Sequence, residues 1–145
     1  MTYDDKIIKD IKNREYTYAI VKNEEVIFNF KGSGIGAVAK TIMIDSSMLN
    51  DAIVYDTYVG KAVASLLLKY HTSAVYGESM TQVAMDIFDK NGINYSYGEK
   101  VEMIYNHDES AECPFEIATK NIDDLDKIEE KVFDIIKELK ASKNG

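Results

Sequence analysis

Residues 51–71 read DAIVYDTYVGKAVASLLLKYH. The first part, AIVYD at 52–56, carries few polar residues, the composition of a strand covered on both faces. The second part changes period. Val59, Ala62, Val63, Leu66 and Leu67 fall at i, i+3, i+4, i+7 and i+8, one face of a helix. A buried strand feeding an amphipathic helix is the unit of an α/β fold. Asp56, Thr57, Gly60 and Lys61 sit at the junction. Asp56 or Thr57 is expected to cap the helix, its oxygen accepting from the first free N–H groups. That leaves Lys61, since a cation in the first turn opposes the helix dipole. It is available to an anionic ligand, to Asp56 or to water.

The flanking sequence extends the pattern. Upstream, DDKIIKDIKNR (4–14) spaces Ile7, Ile8 and Ile11 as a short amphipathic helix. YTYAIVK and EVIFNF follow, joined by Asn23-Glu24-Glu25, and read as an antiparallel hairpin. KGSGIGAVAKTIMI then opens a helix with Ile35, Val38, Ala39 and Ile42 on one face. Downstream, SAVYG reads as a strand. Ser79 and Gln82 form an S-x-x-Q capping box for a helix that runs to about Lys90 and stops at Asn91-Gly92. INYSYGEKVEMIY reads as one or two strands broken near Gly98, and NHDESAECPFE as a polar loop. A last helix over 123–141 has Leu125, Ile128, Val132, Ile135, Ile136 and Leu139 on one side, with Asp123 and Asp124 favouring its start. A hairpin followed by strand–helix alternation predicts a mixed sheet between helices, as one domain over 1–145.

Composition narrows the function classes. The net charge is −8, against a nucleic-acid backbone, which needs clustered Lys and Arg, and against an anionic membrane surface. No apolar run approaches the ~18 residues of a membrane span. The start, MTYDDKIIKD, has no apolar leader core, so a cytoplasmic protein is expected. A single cysteine, Cys113, excludes an internal disulfide framework and a cysteine-based zinc cluster.

Three segments carry candidate chemistry. GSGIG places Gly32, Ser33, Gly34 and Gly36 between a strand and a helix, where exposed amides attract anions. It has neither a P-loop ending nor a complete dinucleotide spacing, and close helix packing accounts for it equally well. DTYVGK supplies Asp56, Gly60 and Lys61. Both segments lie at carboxyl ends of strands, where ligands gather in open α/β sheets. The third, NHDESAECPFE, gathers Asn106, His107, Asp108, Glu109, Glu112, Cys113 and Glu116, a set that suits a nucleophile beside a base or a solvated acidic loop with an inert cysteine.

Taken together, DTYVGKAVASLLL, AVYGESMTQVAMDIFDKNGINYSY and CPFE resemble an uncharacterised prokaryotic family of cytidine deaminase-like domains. The matching positions are Asp56, Val59, Gly60, Lys61 and Ala62 in D-x-x-V-G-K-A, then Gly92 and Ile93, then Cys113, Pro114 and Glu116 in C-P-x-E. The resemblance covers about residues 16–120. It implies a three-layer α-β-α fold, a mixed sheet of about five strands with helices on both faces. It does not imply deaminase chemistry. Zinc deaminases place H-x-E and P-C-x-x-C at two helix starts, and GSGIG and DTYVGK supply neither, so no metal or other cofactor is expected. The resemblance also implies Asn-Arg ahead of C-P-x-E, where this chain departs with Asn106-His107, a weaker and pH-dependent substitute.

The reading that follows is a zinc-free, deaminase-like domain that binds a small anionic or nucleotide-like ligand. Ser33, Gly34, Gly60, Lys61, Asn106 and His107 would bind it, with Asp56, Cys113 and Glu116 as the reactive or polar groups. One alternative is a metal-free enzyme with Cys113 as nucleophile and His107 or Glu116 as base. Another is a non-catalytic module that assembles as a homo-oligomer.

Overall fold

The computed structural model describes residues 3–32, 35–106 and 109–144. Helix α1 (Asp5–Lys12) leads into the hairpin β1 (Tyr18–Lys22) and β2 (Glu25–Phe30). Then come α2 (Gly36–Asp45), a 3-10 turn (Ser46–Leu49), β3 (Ile53–Val59), α3 (Lys61–Lys69), β4 (Ala74–Thr81), α4 (Gln82–Asn91) and β5 (Asn94–Val101). Two helices close the chain, α5 (Pro114–Thr119) and α6 (Leu125–Asn144). None of the described helices is long and apolar enough to cross a membrane.

The five strands form one mixed sheet in the order β2-β1-β3-β4-β5. β1 is antiparallel to both β2 and β3, while β3, β4 and β5 run parallel. Asn23 and Glu24 hold φ of 51° and 66°, a two-residue hairpin turn with both central residues left-handed. Alternate residues of the central strands feed opposite faces. Val54 and Val75 enter the larger core with Val38, Leu66, Phe88 and Ile128 of α2, α3, α4 and α6. Tyr55 and Tyr76 enter a smaller core with Ile7 and Ile11 of α1. This is the three-layer α-β-α architecture the sequence predicts.

Several boundaries differ from expectation. β3 runs three residues past Asp56, because Asp56, Tyr58 and Val59 pair with Gly77, Ser79 and Met80 of β4 and the Thr57 N–H donates to Thr17 O at 3.1 Å. Neither Asp56 nor Thr57 therefore caps α3; the cap position is Gly60. Ser79 likewise lies inside β4, and it is Thr81 Oγ1 that accepts from the Ala84 N–H at 3.2 Å and caps α4. β5 is unbroken at Gly98, where an added Cβ would come within 2.8 Å of Glu78 O. Gly92, with φ of 69°, ends α4 as expected. In α6, Ile128 and Val132 are buried, but Leu139 is 46% exposed. The loop before α6 also contains α5, a turn and a half of helix with Pro114 in its first turn.

Candidate functional site

The C-P-F-E segment begins at Cys113, whose extended backbone donates its N–H to Ile104 O at 2.8 Å. Pro114 opens α5, so that Phe115 packs against the larger core and Glu116 points at the start of α3. Glu116 Oε1 accepts from the Lys61 N–H and Oε2 from the Ala62 N–H, each at 2.8 Å. These are the first two residues of α3, whose amides have no partner within their own helix. A carboxylate from another element thus caps α3, favoured by the helix dipole and by two charge-assisted hydrogen bonds.

This contact explains Gly60. A Cβ there would lie 1.9 Å from Glu116 Oε1 and 2.6 Å from its Cδ. Only a residue without a side chain lets the carboxylate come this close. The contact also redirects Lys61. Its ammonium donates to Lys120 O at 3.0 Å and pairs with Asp123 Oδ1 at 3.3 Å, rather than with Asp56. The cation that opposes the α3 dipole is thereby spent on the chain leading into α6. The two sequence motifs, D-x-x-V-G-K-A and C-P-x-E, meet in a single clasp.

Burial pushes the Glu116 carboxyl above its usual range; the Ala62 and Lys61 amides oppose that, Glu112 adds to it and the Lys61 ammonium opposes it. Burial also pushes the Cys113 thiol up, opposed by backbone N–H groups of Glu116 and Phe115 and reinforced by the charges of Glu116 and Glu112. A thiol so raised is mostly protonated near neutral pH and a poor nucleophile.

Asp56 differs from all of these. It is 4% exposed, at the centre of the sheet, level with Tyr18 on β1 and Gly77 on β4. Oδ1 accepts from the Thr57 N–H at 2.8 Å. Among the described residues Oδ2 has no hydrogen-bond partner. Burial drives this carboxyl well above the ordinary aspartate range, with the Thr57 N–H opposing. Burial thus favours its protonated form, which can give one hydrogen bond as well as accept.

Hydrogen bonds link the start of α2 to Tyr18, the neighbour of Asp56 across the sheet. The Thr41 hydroxyl lies 2.9 Å from Ala37 O in the first turn of α2 and 3.1 Å from the Tyr18 hydroxyl. Tyr18 is directly opposite Asp56 in the sheet and feels its charge. The start of α2 has Ile35 at the cap position, no side-chain cap and no acidic residue in its first turn. The two helix starts are therefore unlike: α3 is closed by Glu116, while no side chain among the described residues caps α2.

The remaining nominated residues divide. Asn106 organises its own loop, with Oδ1 accepting from the Ser110 N–H at 2.9 Å and the Ala111 N–H at 3.3 Å. Ser33, Gly34 and His107 lie outside the described residues. Gly32 donates its N–H to Thr17 Oγ1 at 3.1 Å. No three His, Cys, Asp or Glu side chains among the described residues are grouped to hold a metal ion. Two open depressions, of about 430 and 440 Å³, lie elsewhere, at the α3–α6 junction and beside the start of α4.

The model of the domain of unknown function DUF1893 (TM1506) matches residues 6–139. A solved structure of a DUF1893 family protein from Thermotoga maritima is similar with a TM-score of 0.80 at 25% sequence identity, over 92% of each chain. No curated protein matches.

Proposed function

The chain belongs to the DUF1893 family of unknown function, and from that premise we propose a zinc-free, deaminase-like domain that binds a small nucleotide-like ligand. The observation that carries the reading is Asp56 Oδ2, buried and unpartnered at the heart of the sheet. Leaving a buried polar atom without a partner costs about 1–3 kcal/mol. A ligand group on a base edge or a sugar that accepts from the carboxyl O–H, or donates to the carboxylate, would remove that cost. The start of α2 supports an anionic group on that ligand, since no side chain among the described residues caps it and a helix start favours a negative group. Lys61 and Gly60 take supporting roles in this reading: they seat Glu116 and so fix the start of α3.

The reading is a binding role, not catalysis. Cys113 is a weak nucleophile for the reasons given above, and Glu116 is occupied with two amides. A thermal-shift series with nucleosides, nucleotides and sugar phosphates tests it on the wild type and on Asp56→Asn. At least one compound should raise the melting temperature of the wild type and raise that of Asp56→Asn less. No shift with any of them, or equal shifts in both proteins, would overturn the reading.

A further inference from the structure

The hydrogen bonds around Asp56 give the proposed site a polarity. Tyr18 and Asp56 are directly opposed on antiparallel strands, so both side chains leave the sheet on the face of the larger core. The hydroxyls that the fold brings to this part of the sheet donate elsewhere. Thr17 Oγ1 gives its proton to Phe30 O at 3.2 Å, and Thr57 Oγ1 to Thr17 O at 2.9 Å. The Thr41 hydroxyl has a single proton to give. Ala37 O, at 2.9 Å, can only accept, so it takes that proton. The 3.1 Å contact between Thr41 and Tyr18 is then a hydrogen bond that Tyr18 donates.

None of these hydroxyl protons is left for Asp56. Among the described residues its carboxyl has one donor, the Thr57 N–H on Oδ1, and it takes part in no ion pair. A buried carboxylate with one hydrogen bond and no counter-ion is costly, and such a group neutralises instead. The raised titration of Asp56 has the same origin, since burial leads it and no neighbouring charge contributes. With Oδ1 accepting from an N–H, the proton belongs on Oδ2. That O–H is a buried donor for which the fold supplies no acceptor.

We propose, on the binding reading given above, that the ligand group seated on Asp56 Oδ2 is a hydrogen-bond acceptor on a neutral ring, a carbonyl oxygen or ring nitrogen of a nucleobase, and that Asp56 is its donor. An acidic side chain in a site ordinarily points to a cationic ligand. Here the amidinium, guanidinium and ammonium groups are excluded. Each brings only N–H donors, and Asp56 would first have to lose its proton to receive them. The resulting pair would carry the desolvation cost of two charges, and the carboxylate would have the Thr57 N–H as its one other donor among the described residues.

Calorimetric titration of the full chain at neutral pH tests it, with uridine and inosine as carbonyl-bearing probes and benzamidine as the cation. Asp56→Asn keeps a donor in place: the Thr57 N–H holds the side-chain oxygen, so the NH2 stands where Oδ2 stood. Asp56→Leu keeps the bulk and removes the donor. Uridine or inosine should bind the wild type, and benzamidine should not. The same nucleoside should bind Asp56→Asn more weakly by less than about tenfold, and Asp56→Leu more weakly by more than about tenfold. Binding of benzamidine in preference to both nucleosides would overturn the donor role alone. So would a loss of tenfold or more in Asp56→Asn, whether or not Asp56→Leu folds by circular dichroism. A wild type that binds none of the probes would overturn the binding reading and the donor role together.

Discussion

Asp56 is the residue whose chemistry departs furthest from its surroundings. Its carboxyl is held well above the ordinary range by burial, so folding favours the protonated form. The sign follows from linkage: the native state binds more protons, and stability falls as pH rises from the unfolded aspartate value through the folded one. Asp56→Asn keeps the shape and removes the titration. It should flatten this decline and raise stability at neutral and alkaline pH, which urea unfolding across a pH series would measure. A variant destabilised equally at every pH would show that the carboxyl is satisfied as an anion. The sequence drew attention to Asp56, and of the duties it offered, capping α3 is not met; Asp-Thr before an apolar period looks like a cap. Its true surroundings, Tyr18 on one side and Gly77 on the other, are distant in sequence.

At the scale of elements, hydrophobic period made the fold legible. The hairpin, the alternation of strands and helices and the left-handed stop at Gly92 were all readable, because each is a local pattern. Ends set by distant partners were not. β3 extends to Val59 because β4 holds it there, and α5 is too short, at six residues, to show a period. The start of α4 shows the same effect: S-x-x-Q matched a capping box, yet Ser79 stays in the ladder opposite Glu99 and Thr81 caps the helix. Thr81→Ala should therefore cost about 1 kcal/mol. Gln82→Ala should change stability by less than about 0.5 kcal/mol, since its exposed amide only reaches Asp86 at 2.8 Å. Chemical denaturation of the two variants separates the assignments, and the reverse order would favour the box.

Across the whole molecule, the C-terminal segment is held against both ends of α3. Glu116 and Lys61 bind it at the start, Lys69 and Tyr70 reach Glu129 at the end, and Ile128 and Val132 join the larger core between. The sequence presented Gly60 and Lys61 as candidate ligand contacts and Glu116 as a candidate reactive group, and could not show that they meet one another. Fifty-four positions separate Ala62 from Glu116. The one available signal was a helix start without a capping side chain paired with a distant acid that follows a proline. The clasp is the central structural claim, and a double-mutant cycle in global unfolding tests it most directly. Gly60→Ala should cost about 2–3 kcal/mol in the wild type, by displacing the Glu116 carboxylate from its two amides. In a Glu116→Ala background the same change should cost less than about 1 kcal/mol, a coupling of about 2 kcal/mol. Costs for Gly60→Ala that are equal in the two backgrounds would contradict the seating of Glu116 over Gly60.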